Sequence, residues 1–107
     1  MHTHIVLFWL KEGTTEEEQK SLREDCHSLL GVIETVRDIR VGLPSDTHRD
    51  IVERGYHLAI VVTFDDLEGH DIYQDHPTHE EFIEAHVEHW DKVQVIDIAS
   101  WMRCDAP

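Results

Sequence analysis

The first strong pattern in the chain is an unbroken run of β-branched, aromatic and aliphatic residues, THIVLFWL, at positions 3–10. Such a run reads as a strand. Alternation puts His4, Val6, Phe8 and Leu10 on one face and Thr3, Ile5, Leu7 and Trp9 on the other, so both faces are apolar. Gly13 ends the run. Thr15 then reads as a helix N-cap with Glu18 as its capping-box partner, and Glu16 and Glu17 suit the positive end of the helix dipole. Leu22, Cys26, Leu29, Leu30 and Ile33 recur at helical spacing and predict one buried stripe, with Gly31 in the last turn or at its C-terminal cap.

The segment VRDIRVG, 36–42, predicts a second strand from about Arg37. Gly42 to Gly55 is polar, contains Pro44 and reads as a loop. YHLAIVVTF, 56–64, is the clearest strand, with Leu58, Ile60, Val62 and Phe64 on one face and His57, Ala59, Val61 and Thr63 on the other. Asp65 or Asp66 caps a short helix to about Asp75. Pro77 disfavours helical backbone at His76, so that helix should end or bend there. Thr78 with Glu81 predicts another capping box and a helix to about Trp90. VQVIDIASWM, 93–102, predicts the last strand.

The order is βα-ββ-α(α)-β. It predicts an α+β, ferredoxin-like fold: one four-stranded antiparallel sheet with helices on one face. The 107 residues suffice for one domain. The second sheet face would carry Ile5, Leu7 and Trp9 beside Ala59 and Val61, a larger apolar patch than monomers usually expose. Covering each large side chain stabilises by about 1.5–3 kcal/mol. The simplest cover is the same face of a second copy, a two-fold homodimer with sheets face to face. The alternative cover is the Gly42–Gly55 loop.

Charge narrows the partners. The net charge is -14, from 23 acidic and 9 basic residues, which argues against nucleic acid and anionic lipid. No apolar run reaches the ~18 residues of a membrane span, and the N-terminal run lacks the flanks of a signal peptide; a cytoplasmic protein is expected. Cys26 and Cys104 form no metal or redox motif. Ten histidines in a negative field predict some pH dependence between about 5 and 8.

Candidate chemistry centres on YQDHPTHEEF, 73–82. At ~100° per residue, Phe82, Ile83, His86 and Trp90 fall on the side of His79, with Glu80, Glu81, Glu84 and Glu88 opposite. His4 points from the first strand to the same interior. Burial and the start of a helix both favour a neutral imidazole at His79, which is what a general base needs near neutral pH. Tyr73, a turn earlier, could place its hydroxyl against a developing oxyanion. His4 or His76 would position a substrate, and His76, Phe82 and His86 would line the pocket. For His86 the favoured reading is a core histidine with its ring nitrogens bonded, and for His4 that reading stands level with the functional one. His76-x-x-His79 also offers two nitrogens at a metal-site spacing, with Asp71, Asp75 or His4 as a third ligand. Pro77 leaves their relative direction unset, and neither a metal nor a cofactor is expected.

HIVLFWLKEG, GYHLAIVVTF and YQDHPTHEEF together resemble the stress-responsive A/B barrel (Dabb) domain family, from His4 to about Trp101. The resemblance implies a ferredoxin-like protomer pairing through its sheet into a dimeric barrel. It also implies mixed roles, since one plant branch contains a polyketide cyclase that closes a ring by aldol chemistry without a cofactor. In that branch the second histidine of HPxH is the base and the preceding tyrosine assists, matching His79 and Tyr73, and the strand-one histidine matches His4. The branch has a third-strand histidine where this chain has Leu58, and His57 beside it points to the other face. Two readings follow. One is a homodimer with a pocket in each protomer for a small apolar or carbonyl-containing ligand. The other is a cofactor-independent enzyme abstracting a proton next to a carbonyl, with His79 as base and Tyr73 as oxyanion partner.

Overall fold

The computed structural model describes residues 1–100. Seven regular elements follow in order: β1 (His2–Leu10), α1 (Glu16–Asp25), β2 (Asp38–Gly42), β3 (Leu58–Phe64), α2 (Leu67–Asp75), α3 (Pro77–His86) and β4 (Trp90–Ala99). The sheet is antiparallel throughout, in the order β2-β3-β1-β4. This is the α+β, ferredoxin-like architecture that the pattern predicts. No helix among the described residues is long and apolar enough to cross a membrane.

Parity on the two inner strands is as read from the sequence. His2, His4, Val6, Phe8 and Leu10 of β1 are buried, and so are Leu58, Ile60, Val62 and Phe64 of β3, while every intervening residue is half-exposed. The buried set meets Leu22, Cys26, Leu30, Ile33, Tyr73 and Phe82 in one core. On the opposite face Val61, Ile5 and Ile96 lie side by side across three strands, with Ile98 next to Thr3. Ile96 and Ile98 remain more than two-fifths exposed.

The Thr15–Glu18 capping box forms in both directions. The stripe predicted along the first helix is continuous, but its last turn is a π-helical one, Cys26–Leu30. Gly31 closes that turn with its N–H on the Cys26 carbonyl at 3.1 Å. A Cβ at Gly31 would sit 2.7 Å from the His27 carbonyl oxygen, so the close approach requires glycine.

The largest differences from the sequence reading lie at the two ends of the third helix. The third helix starts at Pro77 with His76 as N-cap, not at Thr78. Proline drives the residue before it into the extended backbone that an N-cap uses, and its missing N–H costs nothing at the first helical position. The His76 ring then accepts the Thr78 N–H through Nδ1 at 3.0 Å. That helix ends at His86, a short 3-10 turn follows at Val87–His89, and β4 begins at Trp90. Trp90 belongs to the strand because it pairs with Leu10 across a bulge and packs its ring on Phe8 and Phe82. The strand is described to Ala99; the expected extension to Met102, and Cys104, lie outside the described residues.

Gly31→Ala should destabilise the fold by about 1–3 kcal/mol, because the backbone must shift to admit the methyl group. A fall in the urea midpoint at unchanged slope is the expected result.

Candidate functional site: a histidine-walled cavity

A cavity of about 170 Å³ lies between the sheet and the helices. Its floor is Val6, Phe8 and Ile60, its helical wall is Tyr73, Gln74, His79, Phe82 and Ile83, and His4 and Trp90 close two further sides. Its mouth is beside β4, where Val93 and Val95 line it yet stay 39% and 49% exposed.

Three of the predicted residues meet there. Tyr73 stands between the two histidines, its ring centroid 4.8 Å from that of His79 and 5.9 Å from that of His4, edge-on to both. Phe82 also lines the cavity, as expected. Two predicted lining residues do not. His76 is taken up as the cap between α2 and α3, with Nε2 3.6 Å from Glu34. His86 is buried but turned to α1, where Nε2 sits 2.7 Å from the Asp25 carboxylate and the ring lies against Phe82. It is a core histidine with a bonded ring nitrogen. Leu58 is in the core and does not reach the cavity, while His57 accepts the Leu10 N–H through Nδ1 at 3.0 Å.

The electrostatics separate the site residues. Burial lowers the pKa of His79, and the neighbouring His4, His70 and His76 act in the same direction. Its Nδ1 is buried with no hydrogen-bond partner among the described residues. Burial also raises the Tyr73 phenol well above its ordinary value, with a smaller contribution from Cys26. The hydroxyl therefore remains a donor at neutral pH, while His79 is neutral and holds a lone pair. Cys26 itself is buried and pushed up to about 12, an inert thiol.

His4 has a fixed orientation. Its Nδ1 lies 2.6 Å from Asp97 Oδ1. A carboxylate only accepts, so Nδ1 carries the hydrogen and Nε2 accepts from the Gln74 amide at 3.3 Å. Burial lowers the His4 pKa and outweighs the opposing pull of Asp97. For Asp97, burial acts upward, but the bonds from His4 and His2 together leave its pKa lowered. Asp97 is a site residue that the sequence reading did not name, and Trp90, placed there on the helical stripe of His79, comes instead from the start of β4. The available signal for Asp97 was parity: it falls on the inward set of β4 with Val93 and Val95, where an acid needs partners. Trp90 lines the cavity, and its indole N–H is buried without a partner among the described residues.

The sequence model of the stress responsive A/B barrel domain matches residues 3–100. The chain belongs to that family. Olivetolic acid cyclase of Cannabis sativa is 26% identical over 94 residues, covering 88% of this chain and 91% of that one. The crystal structure of an Arabidopsis thaliana protein superposes with a TM-score of 0.81 at 27% identity, covering 97% of this chain and 99% of that one. A dimeric protein of unknown function and ferredoxin-like fold from Bacteroides fragilis does so with a TM-score of 0.70 at 28% identity, covering 91% and 93%.

The depressed histidines fix the sign of one pH effect. Unfolded imidazoles take up a proton near ~6.5, whereas His79 and His4 in the fold do so only at lower pH. Between those limits the unfolded chain binds more protons, so stability falls as pH is lowered. Asp97, with a lowered folded pKa, adds a further loss only below about 4. The thermal midpoint should therefore drop from pH about 7.5 to about 5.5, and His79→Phe should make the drop shallower. An unchanged slope in that variant would show that His79 is not depressed.

Proposed function

We propose that this A/B barrel protein is a homodimer whose protomers each bind one small, largely apolar, carbonyl-containing molecule in the cavity beside His79. The observation that carries the reading is a largely apolar cavity lined by His79, whose Nδ1 is buried without a partner among the described residues. A buried polar atom without a partner is costly and rare in native proteins, and a ligand supplies the missing partner. The size suits a single-ring molecule, since an apolar cavity of about 150 Å³ accommodates benzene. The orphaned Trp90 N–H and the protonated Tyr73 hydroxyl both suit a carbonyl oxygen. The apolar, helix-free sheet face supports the pairing of two copies, as does the dimeric Bacteroides fragilis relative.

A second reading is favoured by the lowered pKa of His79. A neutral imidazole beside a phenol donor suits abstraction of a proton α to the bound carbonyl, with the enolate oxygen held by Tyr73. Olivetolic acid cyclase among the relatives lends this reading support, and Leu58 in place of the third-strand histidine weighs against the full cyclase reaction.

Calorimetry with aryl ketones of one ring should give one saturable site per chain, and Ile83→Trp, which fills the cavity, should abolish it. No binding by the parent protein would end the reading. Exchange of the ketone α-protons with deuterated solvent, followed by NMR, separates the two readings: exchange lost in His79→Ala assigns catalysis, and binding without exchange leaves a ligand-binding protein. For the dimer, light scattering should give twice the chain mass, and placing glutamates at Ile5 and Leu7 together should give monomer. A monomeric parent protein would remove the pairing from the proposal.

A further inference from the structure

A polar cluster lies where the start of β1, the end of β4 and α2 converge. His2 Nε2 and Asp97 Oδ1 are 3.0 Å apart, and His70 Nε2 lies 3.6 Å from the same oxygen. One ligand atom from each of the three residues falls within 4.8 Å of the others. His2 is buried, and Asp97 is partly open to solvent. We propose that His2, His70 and Asp97 bind a divalent transition-metal ion, a site separate from the ligand cavity.

Three observations carry this. The first is spacing. Bonds of ~2.0–2.2 Å to a tetrahedral ion place its donors roughly 3.3–3.6 Å apart; His70 Nε2 lies 3.6 Å from Asp97 Oδ1, and His2 Nε2, which donates to that oxygen at 3.0 Å, would pass its hydrogen to Nδ1 or solvent on binding. The second is the state of His70. Its Nδ1 is 3.0 Å from the Asp71 carboxylate, which only accepts, so the hydrogen is on Nδ1 and Nε2 presents a lone pair. That Nε2 is buried and without a hydrogen-bond partner among the described residues. A carboxylate orienting a histidine whose other nitrogen is free is the arrangement that supports metal-bound imidazoles. The third is the donor set. Two imidazoles and a carboxylate suit zinc and its first-row neighbours, and the open side of Asp97 leaves room for water or a ligand in a remaining position.

The ion would also reach the cavity indirectly. Asp97 Oδ1 is the atom that holds His4 Nδ1 at 2.6 Å, and His4 lines the cavity. Coordination of that oxygen competes with the bond that orients His4. The cluster lies on the inward parity of the sheet, away from the open face, so pairing of sheets leaves it accessible.

The test is calorimetry of the untagged full chain with zinc chloride alone, paired with the visible absorption of the cobalt(II) form. One ion per chain is expected, with a cobalt spectrum of low coordination number. Asp97→Asn, nearly isosteric, and His70→Ala should each weaken binding at least about ten-fold, with Asp71→Asn weakening it by about the same factor or less. His48→Ala, in the exposed loop, should leave it unchanged. Near-UV circular dichroism selects the variants that fold, and Asp97→Asn carries the test if His70→Ala does not. Absence of saturable zinc binding, or binding that Asp97→Asn leaves intact, would overturn the site.

Discussion

A four-stranded sheet has two faces, and this chain supplies helices for only one of them. Most of the structure follows from that shortage. Helices cover the inward parity of β1 and β3, where residue after alternate residue is buried to completion. They do not extend over β4, all of whose inward residues from Val93 to Ala99 remain exposed. The cavity opens at this uncovered margin, with Val93 and Val95 at its mouth. The opposite face has no helix, and its half-exposed Ile5, Leu7 and Trp9 are the surface through which the proposed dimer would close.

Histidines inside such a layer must each solve the same problem, because an unbonded ring nitrogen in an apolar interior is costly. His86 solves it with Asp25, and His4 with Asp97 and Gln74. His79 and His70 each retain one nitrogen with no partner among the described residues. These two exceptions mark different places. One belongs to a residue of the cavity wall, and the other lies 3.6 Å from a carboxylate. The same deficit therefore supports an organic ligand at His79 and a cation at His70.

Strand parity was legible because its period is two and a single misplaced residue would turn apolar side chains to solvent. Hence the two faces of β1 and β3 follow directly from THIVLFWL and YHLAIVVTF. The helix face after Pro77 was legible for the same kind of reason, which is why His79 and Phe82 line the cavity together. Boundaries were less so. The capping-box pattern at Thr78 competes with Pro77 at the first helical position, and the proline prevails because it dictates backbone at two residues. The destinations of His76 and His86 were not legible, since their partners Glu34 and Asp25 come from distant segments of the chain. Asp97 was missed because attention to histidine spacing says nothing about an acid on another strand.

His79 and Tyr73 show why the HPxH segment is ambiguous by itself. His76 and Pro77 are explained in full by the junction of two helices, and neither needs a ligand to account for it. Only His79 lies beyond that explanation, and its meaning depends on what stands around it. Burial moves its pKa down and moves that of Tyr73 up, so a proton acceptor and a proton donor coexist side by side at neutral pH. Two titratable groups pushed apart by their surroundings are the general mark of acid-base chemistry. Yet the same pair also suits simple recognition of a carbonyl, which needs a donor for oxygen and a snug apolar wall but no proton transfer. Leu58 is packed in the core, so the third strand offers the cavity no polar group at that position. The Trp90 indole is then the remaining donor outside the helical wall, so, on the proposed function, the position of a carbonyl between Trp90 and Tyr73 would decide whether its α-proton falls within reach of His79.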